Sequence, residues 1–309
     1  MKTETGNFIQ GVDLAFYIII GISVILLLGL TGAMIYFVYR FNKKRHPKAR
    51  DIKESKKLEI LWITIPTVLV LVMFYFGWAG YAPMRDFPDE AIPIQATGRM
   101  WSWNFEYENG KNSSELVVPV NYPVKLDLYS PDVLHSLYIP AFRIKEDVVP
   151  GVNNAMWFQA DAIGDFDILC AEYCGLQHSN MLTKVRVLSS EDYDKWYNSK
   201  EDEDISARPG AAGLKLLQVN GCIGCHSTDG TKLVGPSFKA LWGTKQMVTS
   251  KGMKREVIVD KQYIITSIYE PNNDIPEGYN PNIMVSYKGK ITEKDIDEII
   301  TYLKTIDGK

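Results

Sequence analysis

The sequence predicts a multidomain membrane protein, in which a two-helix transmembrane hairpin is followed by an all-β domain and then by a small all-α domain. Three observations carry this expectation. Two uncharged apolar runs dominate the first 82 residues. Residues 92–188 contain short alternating or β-branched runs broken by Pro, Gly and Asn. Near the end, Ile296, Ile299, Ile300 and Leu303 recur at helical spacing. The chain of 309 residues has room for about two domains at roughly 150 residues each. A net charge of −3 gives no basic face for nucleic acid.

Residues 14–39 form the first run, 26 residues without a charge, which exceeds the ~20 needed for a helix to cross the hydrocarbon core. A cleaved signal peptide would be shorter, would follow a basic stretch, and would not precede a stop-transfer cluster. Residues 60–81 form a second uncharged run. Between the two, Arg40, Lys43, Lys44, Arg45, Lys48, Arg50, Lys53, Lys56 and Lys57 face only Asp51 and Glu54. Positive loops stay in the cytoplasm, so both termini are expected on the outer side.

In the β segment, the runs at 115–119, 124–129, 156–160, 165–169 and 183–188 read as strands of a sandwich or barrel. Asp and Glu then dominate 189–213, which reads as a tether or a solvated acidic helix. Leu214–Leu217 with Val219 suggest a short helix. Thr292 and Asp295 mark the cap of the last one. The expected divisions are a hairpin over 1–82, a β domain over 83–190, an acidic linker over 191–212 and a third domain over 213–309.

The chain has four cysteines and four histidines, and each cysteine lies three or four residues from its partner and close to a histidine. Two disulfides would suit an oxidising compartment, but this spacing suits ligands better. Cys222-Ile-Gly-Cys225-His226 has the C-x-x-C-H form that attaches a c-type haem, with both thiols bonded to vinyl groups and His226 an axial ligand of the iron. A thioether is the usual sixth ligand in electron carriers. Of Met247, Met253 and Met284, the last lies just before the terminal helix and is preferred; Val285 follows it where related domains often have proline. All three methionines could instead be core filling.

The stretch Cys170-Ala-Glu172-Tyr-Cys174-Gly-Leu-Gln-His178-Ser-Asn-Met181 holds the second constellation, with His135 upstream. Two thiols and two imidazoles can hold zinc tetrahedrally. A mononuclear blue-copper site takes one thiolate, two imidazoles and a weak methionine, which leaves one sulfur over. Two coppers bridged by both thiolates use the full set: each takes one histidine, with Met181 and the Glu172 carbonyl as weak ligands.

His135 within Ser130-Pro-Asp-Val-Leu-His-Ser136, thirty-five residues before C-x-E-x-C-x₃-H-x₂-M, resembles subunit II of cytochrome c oxidase with its dinuclear CuA centre. The resemblance covers residues 10–190 and implies a cupredoxin Greek-key barrel after two transmembrane helices. The appended C-x-x-C-H segment resembles the caa-type bacterial haem–copper oxidases, whose subunit II carries its own cytochrome c domain. Further roles follow from this resemblance. Trp101, in Trp101-Ser-Trp-Asn-Phe-Glu-Tyr107, relays the electron to copper, and Phe105 stands where tyrosine is common. His178 passes the electron on to a haem in subunit I. Glu172 presents its carboxylate to a Mg²⁺ shared with subunit I. Glu59 marks the cytoplasmic mouth of a proton pathway, although a bond to Lys56 or Lys57 would also explain it. The proline carbonyl of Gly235-Pro-Ser237 orients the axial histidine.

The expected function is the electron-transfer subunit of a bacterial cytoplasmic-membrane terminal oxidase. One covalent haem c passes electrons to CuA and on to subunit I, where O₂ is reduced to water with proton pumping. The expected partners are subunit I, subunit III, membrane lipid and an upstream donor, either a cytochrome c or a quinol-oxidising complex. Oxygen reduction itself belongs to the complex, since no further histidine set is present. Two rivals are the CuA subunit of a nitric oxide reductase and a membrane-tethered copper assembly protein. The assembly protein would need neither Met181, His178 nor a haem domain. A zinc-stabilised interaction module is the remaining structural alternative.

Overall fold

The computed structural model describes residues 5–48, 54–199 and 209–306. Helices α1 (Ile9–Arg40) and α2 (Lys56–Tyr81) have no buried residue. Side chains apolar on every face suit lipid or a neighbouring subunit, not water. At 1.5 Å per residue α1 is about 48 Å long, ample for a bilayer. The two helices approach closely at Gly11 and Gly80, where a Cβ on Gly80 would lie 3.1 Å from the Gly11 carbonyl oxygen. Small residues permit such close backbone contact.

That contact lies at the start of α1 and the end of α2, so both ends meet the β domain. Helix α1 begins earlier than the uncharged run alone suggests, because the β domain stabilises its first turns. Thr5 and Asn7 donate backbone N–H groups to Ala141 and Gln159 (3.1 and 3.2 Å). Phe8 packs edge-on against Trp157 at 4.9 Å, and Asp13 pairs with Arg143 at 3.0 Å.

The β domain has ten strands: β1 (Ile92–Arg99), β2 (Ser102–Tyr107), β3 (Asn112–Ser113), β4 (Leu116–Pro119), β5 (Pro123–Tyr129), β6 (His135–Ile139), β7 (Ile144–Val148), β8 (Asn154–Gln159), β9 (Gly164–Cys170) and β10 (Leu182–Leu188). They form two five-stranded sheets, ordered β3-β2-β1-β5-β8 and β4-β10-β9-β6-β7. The β1–β5 and β4–β10 pairs are parallel; the rest are antiparallel. Period-two alternation fills the space between the sheets. In β2, for example, Trp103, Phe105 and Tyr107 are buried while Glu106 is exposed.

The acidic stretch expected to be a linker begins as helix α3 (Ser190–Asn198), capped by Ser189 Oγ, which accepts from Asp192 N at 3.1 Å. Tyr193 is buried, and the Trp196 ring meets Tyr107 edge-on at 4.9 Å. Lys111 Nζ donates to the Trp196 carbonyl. Residues 191–198 therefore pack as part of the β domain; 200–208 lie outside the described residues.

The third domain contains α4 (Ala211–Val219), α5 (Lys261–Tyr269) and α6 (Glu293–Ile306). Helices α4 and α6 cross where Gly213 meets the Glu298 carbonyl; a Cβ there would lie 2.1 Å from that oxygen, so only glycine fits. Thr292 and Asp295 cap α6 reciprocally, Thr292 N donating to Asp295 Oδ2 (2.8 Å) and Asp295 N to Thr292 Oγ1 (3.2 Å). Ile296, Ile299, Ile300 and Leu303 are buried. The helical framework also carries a three-stranded sheet of β11 (Lys245–Ser250), β12 (Met253–Ile258) and β13 (Ile275–Pro276), ordered β12-β11-β13. Only Val248 of the β11–β12 hairpin is buried, so its sequence lacks the alternation that announces a strand.

Candidate metal centres

The first site lies at one end of the β domain. His135 opens β6 and Cys170 closes β9. The loop to β10 folds back so that Cys170 N donates to Met181 O at 3.2 Å and Ala171 N to Ser136 O at 2.9 Å. Gly175, at φ +117°, turns this loop against the Trp101 ring, whose nearest atom would lie 3.2 Å from an added Cβ.

The five side chains converge. Cys170 Sγ and Cys174 Sγ are 3.7 Å apart. Cys170 Sγ is 4.0 Å from His135 Nδ1 and 3.3 Å from the Glu172 carbonyl oxygen. Cys174 Sγ is 3.5 Å from His178 Nδ1 and 3.8 Å from Met181 Sδ. Each sulfur therefore has its own imidazole and its own weak donor. At metal–sulfur bonds of about 2.3 Å, an ion can reach both sulfurs from either side of the pair. The donor set thus fits two metals bridged by two thiolates, and no donor is left over. Cys170, Cys174, His135 and Met181 are buried, whereas His178 is half-buried at the rim.

Burial opposes the Cys170 thiolate, but its interactions with the His135 ring and with backbone groups outweigh it and lower its pKa below the usual thiol value. Cys174 is pushed up by burial and by the charge on Cys170. A cation between the sulfurs would relieve both penalties. Trp101 is buried, and its indole N–H donates to Cys174 O at 3.1 Å.

The second site is a cavity in the third domain, lined by Cys222, Cys225, His226 and Met284 with apolar walls from Leu217, Phe238, Ile264 and Leu303. His226 Nδ1–H donates to Pro236 O at 2.7 Å, which leaves Nε2 as the free ligand atom. Phe238 stacks on the imidazole at 4.8 Å. Burial lowers the His226 pKa and keeps the ring neutral, as iron ligation requires. It also pushes Cys222 up to about 11 and Cys225 up to about 12, so both stay thiols. Met247 and Met253, the other thioethers considered from sequence, sit on the β11–β12 hairpin, 40% and 71% exposed.

The two sites are joined at the haem-attachment loop. A Cβ on Gly224 would lie 3.4 Å from Trp101 O, and one on Gly221 would lie 2.6 Å from Ser102 Oγ. Met100 and Asp132 of the β domain line the cavity of the third domain. Glu59 stands apart, exposed in the first turn of α2. The Glu172 side chain is half-buried. Among the described residues, the only cluster of three or more His, Cys, Asp or Glu ligands is His135, Cys170 and Cys174. Two residues of motifs noted in the sequence make contacts that the sequence did not assign. Gly235 abuts the His226 ring, and Asp132, three residues before His135, bonds to it.

Comparison with known proteins adds family context. Residues 5–77 match the transmembrane domain of cytochrome c oxidase subunit II, residues 111–188 its periplasmic domain, and residues 210–307 cytochrome c. Cytochrome c oxidase subunit 2 of Alkalihalophilus pseudofirmus is 31% identical over 93% of this chain and 85% of its own. The same subunit of Bacillus sp. strain PS3 is 28% identical over 83% and 76%. The solved periplasmic domain of subunit II of cytochrome oxidase from Bradyrhizobium japonicum is 32% identical over 36% of this chain and 94% of that one, with a TM-score of 0.34.

Proposed function

Because the chain belongs to the cytochrome c oxidase subunit II family, and is therefore a two-span membrane subunit serving electron transfer in a haem–copper oxidase, we propose a specific route through it. Electrons come one at a time from an outside donor to a haem on Cys222 and Cys225, pass through Trp101 to a dinuclear copper, and leave through His178 to a haem in subunit I. A bound haem and copper pair would supply the one-electron storage. The chain's residues hold the two centres in register. His226 and Met284 would be the axial ligands of the iron. Cys170, Cys174, His135, His178, Met181 and the Glu172 carbonyl would hold the coppers.

One observation carries the route. The haem-attachment loop packs on the Trp101 peptide, while the Trp101 indole donates to the carbonyl of Cys174. A single residue thus touches both sites. Exposed Tyr173, Leu176 and Leu182 surround the copper loop, and we assign this apolar rim to subunit I. The basic loop after α1 puts that end of the hairpin in the cytoplasm and both chain termini outside. Glu59 then stands at the inner end of α2, where a proton pathway into subunit I would begin. The Glu172 carboxylate would be this chain's ligand for a Mg²⁺ shared with that subunit.

Trp101→Phe keeps a ring but loses the N–H to Cys174. Haem-to-copper transfer after flash reduction of the loaded chain is expected to slow about ten-fold or more, or ~1.4 kcal/mol of added barrier. Trp103→Phe should leave the rate near wild type. Equal rates in Trp101→Phe and wild type would move the route elsewhere.

A further inference from the structure

Asp132 belongs to neither ligand set, yet its carboxylate is bonded into the copper site and lines the haem cavity. Its Oδ1 accepts from Val133 N at 2.7 Å and Ser130 Oγ at 3.2 Å, and lies 2.9 Å from His135 Nε2. Its Oδ2 accepts from Met100 N at 2.8 Å. The side chain is only 11% exposed and, with Met100, lines the cavity that contains Cys222, Cys225 and His226.

His135 turns Nδ1 towards Cys170, so Nε2 is left to carry the proton and donate it to Asp132. A carboxylate in that position fixes the ring's tautomer and orientation and strengthens Nδ1 as a donor. The second oxygen holds the amide of Met100, the residue before Trp101, on the turn against which Gly221 and Gly224 pack.

We propose that Asp132 is a positioning residue shared by the two redox centres: it holds the copper ligand His135 and the haem-docking turn in one register, and its negative charge lowers the reduction potential of both. The inference rests on the proposed function, since it needs copper at His135 and haem at Cys222 and Cys225. It adds an electrostatic link between them. An electron on either centre meets the same fixed charge, so one substitution moves both potentials in the same direction.

The test is spectroelectrochemistry of the full chain in detergent, loaded with copper and haem, comparing wild type with Asp132→Asn and Ser130→Ala. Asn removes the charge and keeps the size. Ser130→Ala removes a bond of the same turn and keeps the charge. Asp132→Asn should raise the copper midpoint by about 59 mV, a tenfold shift in a one-electron equilibrium, and raise the haem midpoint by a smaller amount. Ser130→Ala should move neither. Should Asp132→Asn fail to retain copper, the haem midpoint is compared in copper-free wild type and variant, and the variant should again be higher.

Unchanged midpoints in Asp132→Asn, a shift in copper alone, or an equal shift in Ser130→Ala would each overturn the inference and reduce Asp132 to a turn residue. Those outcomes leave the proposed function intact. Failure of that function would instead show in wild type, as a chain without the copper band or without covalent haem.

Discussion

Cys174→Ser is expected to remove the dinuclear copper signature and stop electron delivery to subunit I. Cys174 Sγ stands within 3.8 Å of three other donors, on Cys170, His178 and Met181. Cys170 Sγ has three donor neighbours as well, but one of them is the Glu172 backbone carbonyl, so Cys174 joins more side chains. A serine hydroxyl is a hard, neutral group in place of a soft thiolate. Losing only an outer-shell partner costs a metal site about 10–100-fold in affinity, and a bridging ligand should cost more. Metal analysis of the variant should find fewer than two coppers per chain and no near-infrared band. Retention of both would remove Cys174 from the bridge. The Cys174→Ser chain should still fold, because serine is close to cysteine in size and the core between the sheets is built mainly from Ile, Leu, Val and aromatic side chains.

Gly235→Ala is expected to have the largest effect on the haem side. An added Cβ would lie 2.5, 2.8 and 2.9 Å from His226 Cε1, Nδ1 and Nε2. Overpacking of this kind costs about 1–3 kcal/mol, occasionally more. The cheapest relief is rotation of the imidazole away from Pro236, which breaks the 2.7 Å bond that leaves Nε2 free for iron. Haem attachment at Cys222 and Cys225 should survive while the axial histidine is lost or weakened. The reduced spectrum should shift towards a five-coordinate form, and thermal unfolding of the third domain should occur at lower temperature. A wild-type spectrum would show that the ring tolerates the methyl group, contrary to this account.

Much of this architecture was legible because its signals are local. Uninterrupted hydropathy marks α1 and α2. Alternation marks β5, β8, β9 and β10, and a short β-branched apolar run marks β4. The Thr292–Asp295 pair with its apolar repeat marks α6. Elements whose stability comes from distant partners were harder to read. Strand β1 is held between β2 and β5, and the start of α1 by Ala141, Arg143, Trp157 and Gln159, far along the chain. The β11–β12 hairpin buries only Val248. The acidic run at 189–198 looks solvated in sequence, but Tyr193, Trp196 and Tyr197 turn it towards Tyr107.

The candidate sites divide along the same line. Cys170, Cys174, His178 and Met181 share one loop, and Cys222, Cys225 and His226 share one turn, so spacing alone grouped them. His135 joins through pairing of β6 with β9. Gly235 and Asp132 act through contacts that spacing does not encode. Asp132 lies beside a recognised ligand, but nothing in its neighbourhood announces that its other oxygen holds Met100. The approach of the haem loop to Trp101 rests on Gly221 and Gly224, two residues that look like ordinary turn glycines until the other domain is present.

The central claim is that this chain holds two different redox centres in electronic contact. Metal and optical analysis of the purified full chain tests it most directly. The account predicts two coppers per chain with a near-infrared mixed-valence band, together with one covalently attached c-type haem. One zinc per chain and no near-infrared band would contradict it.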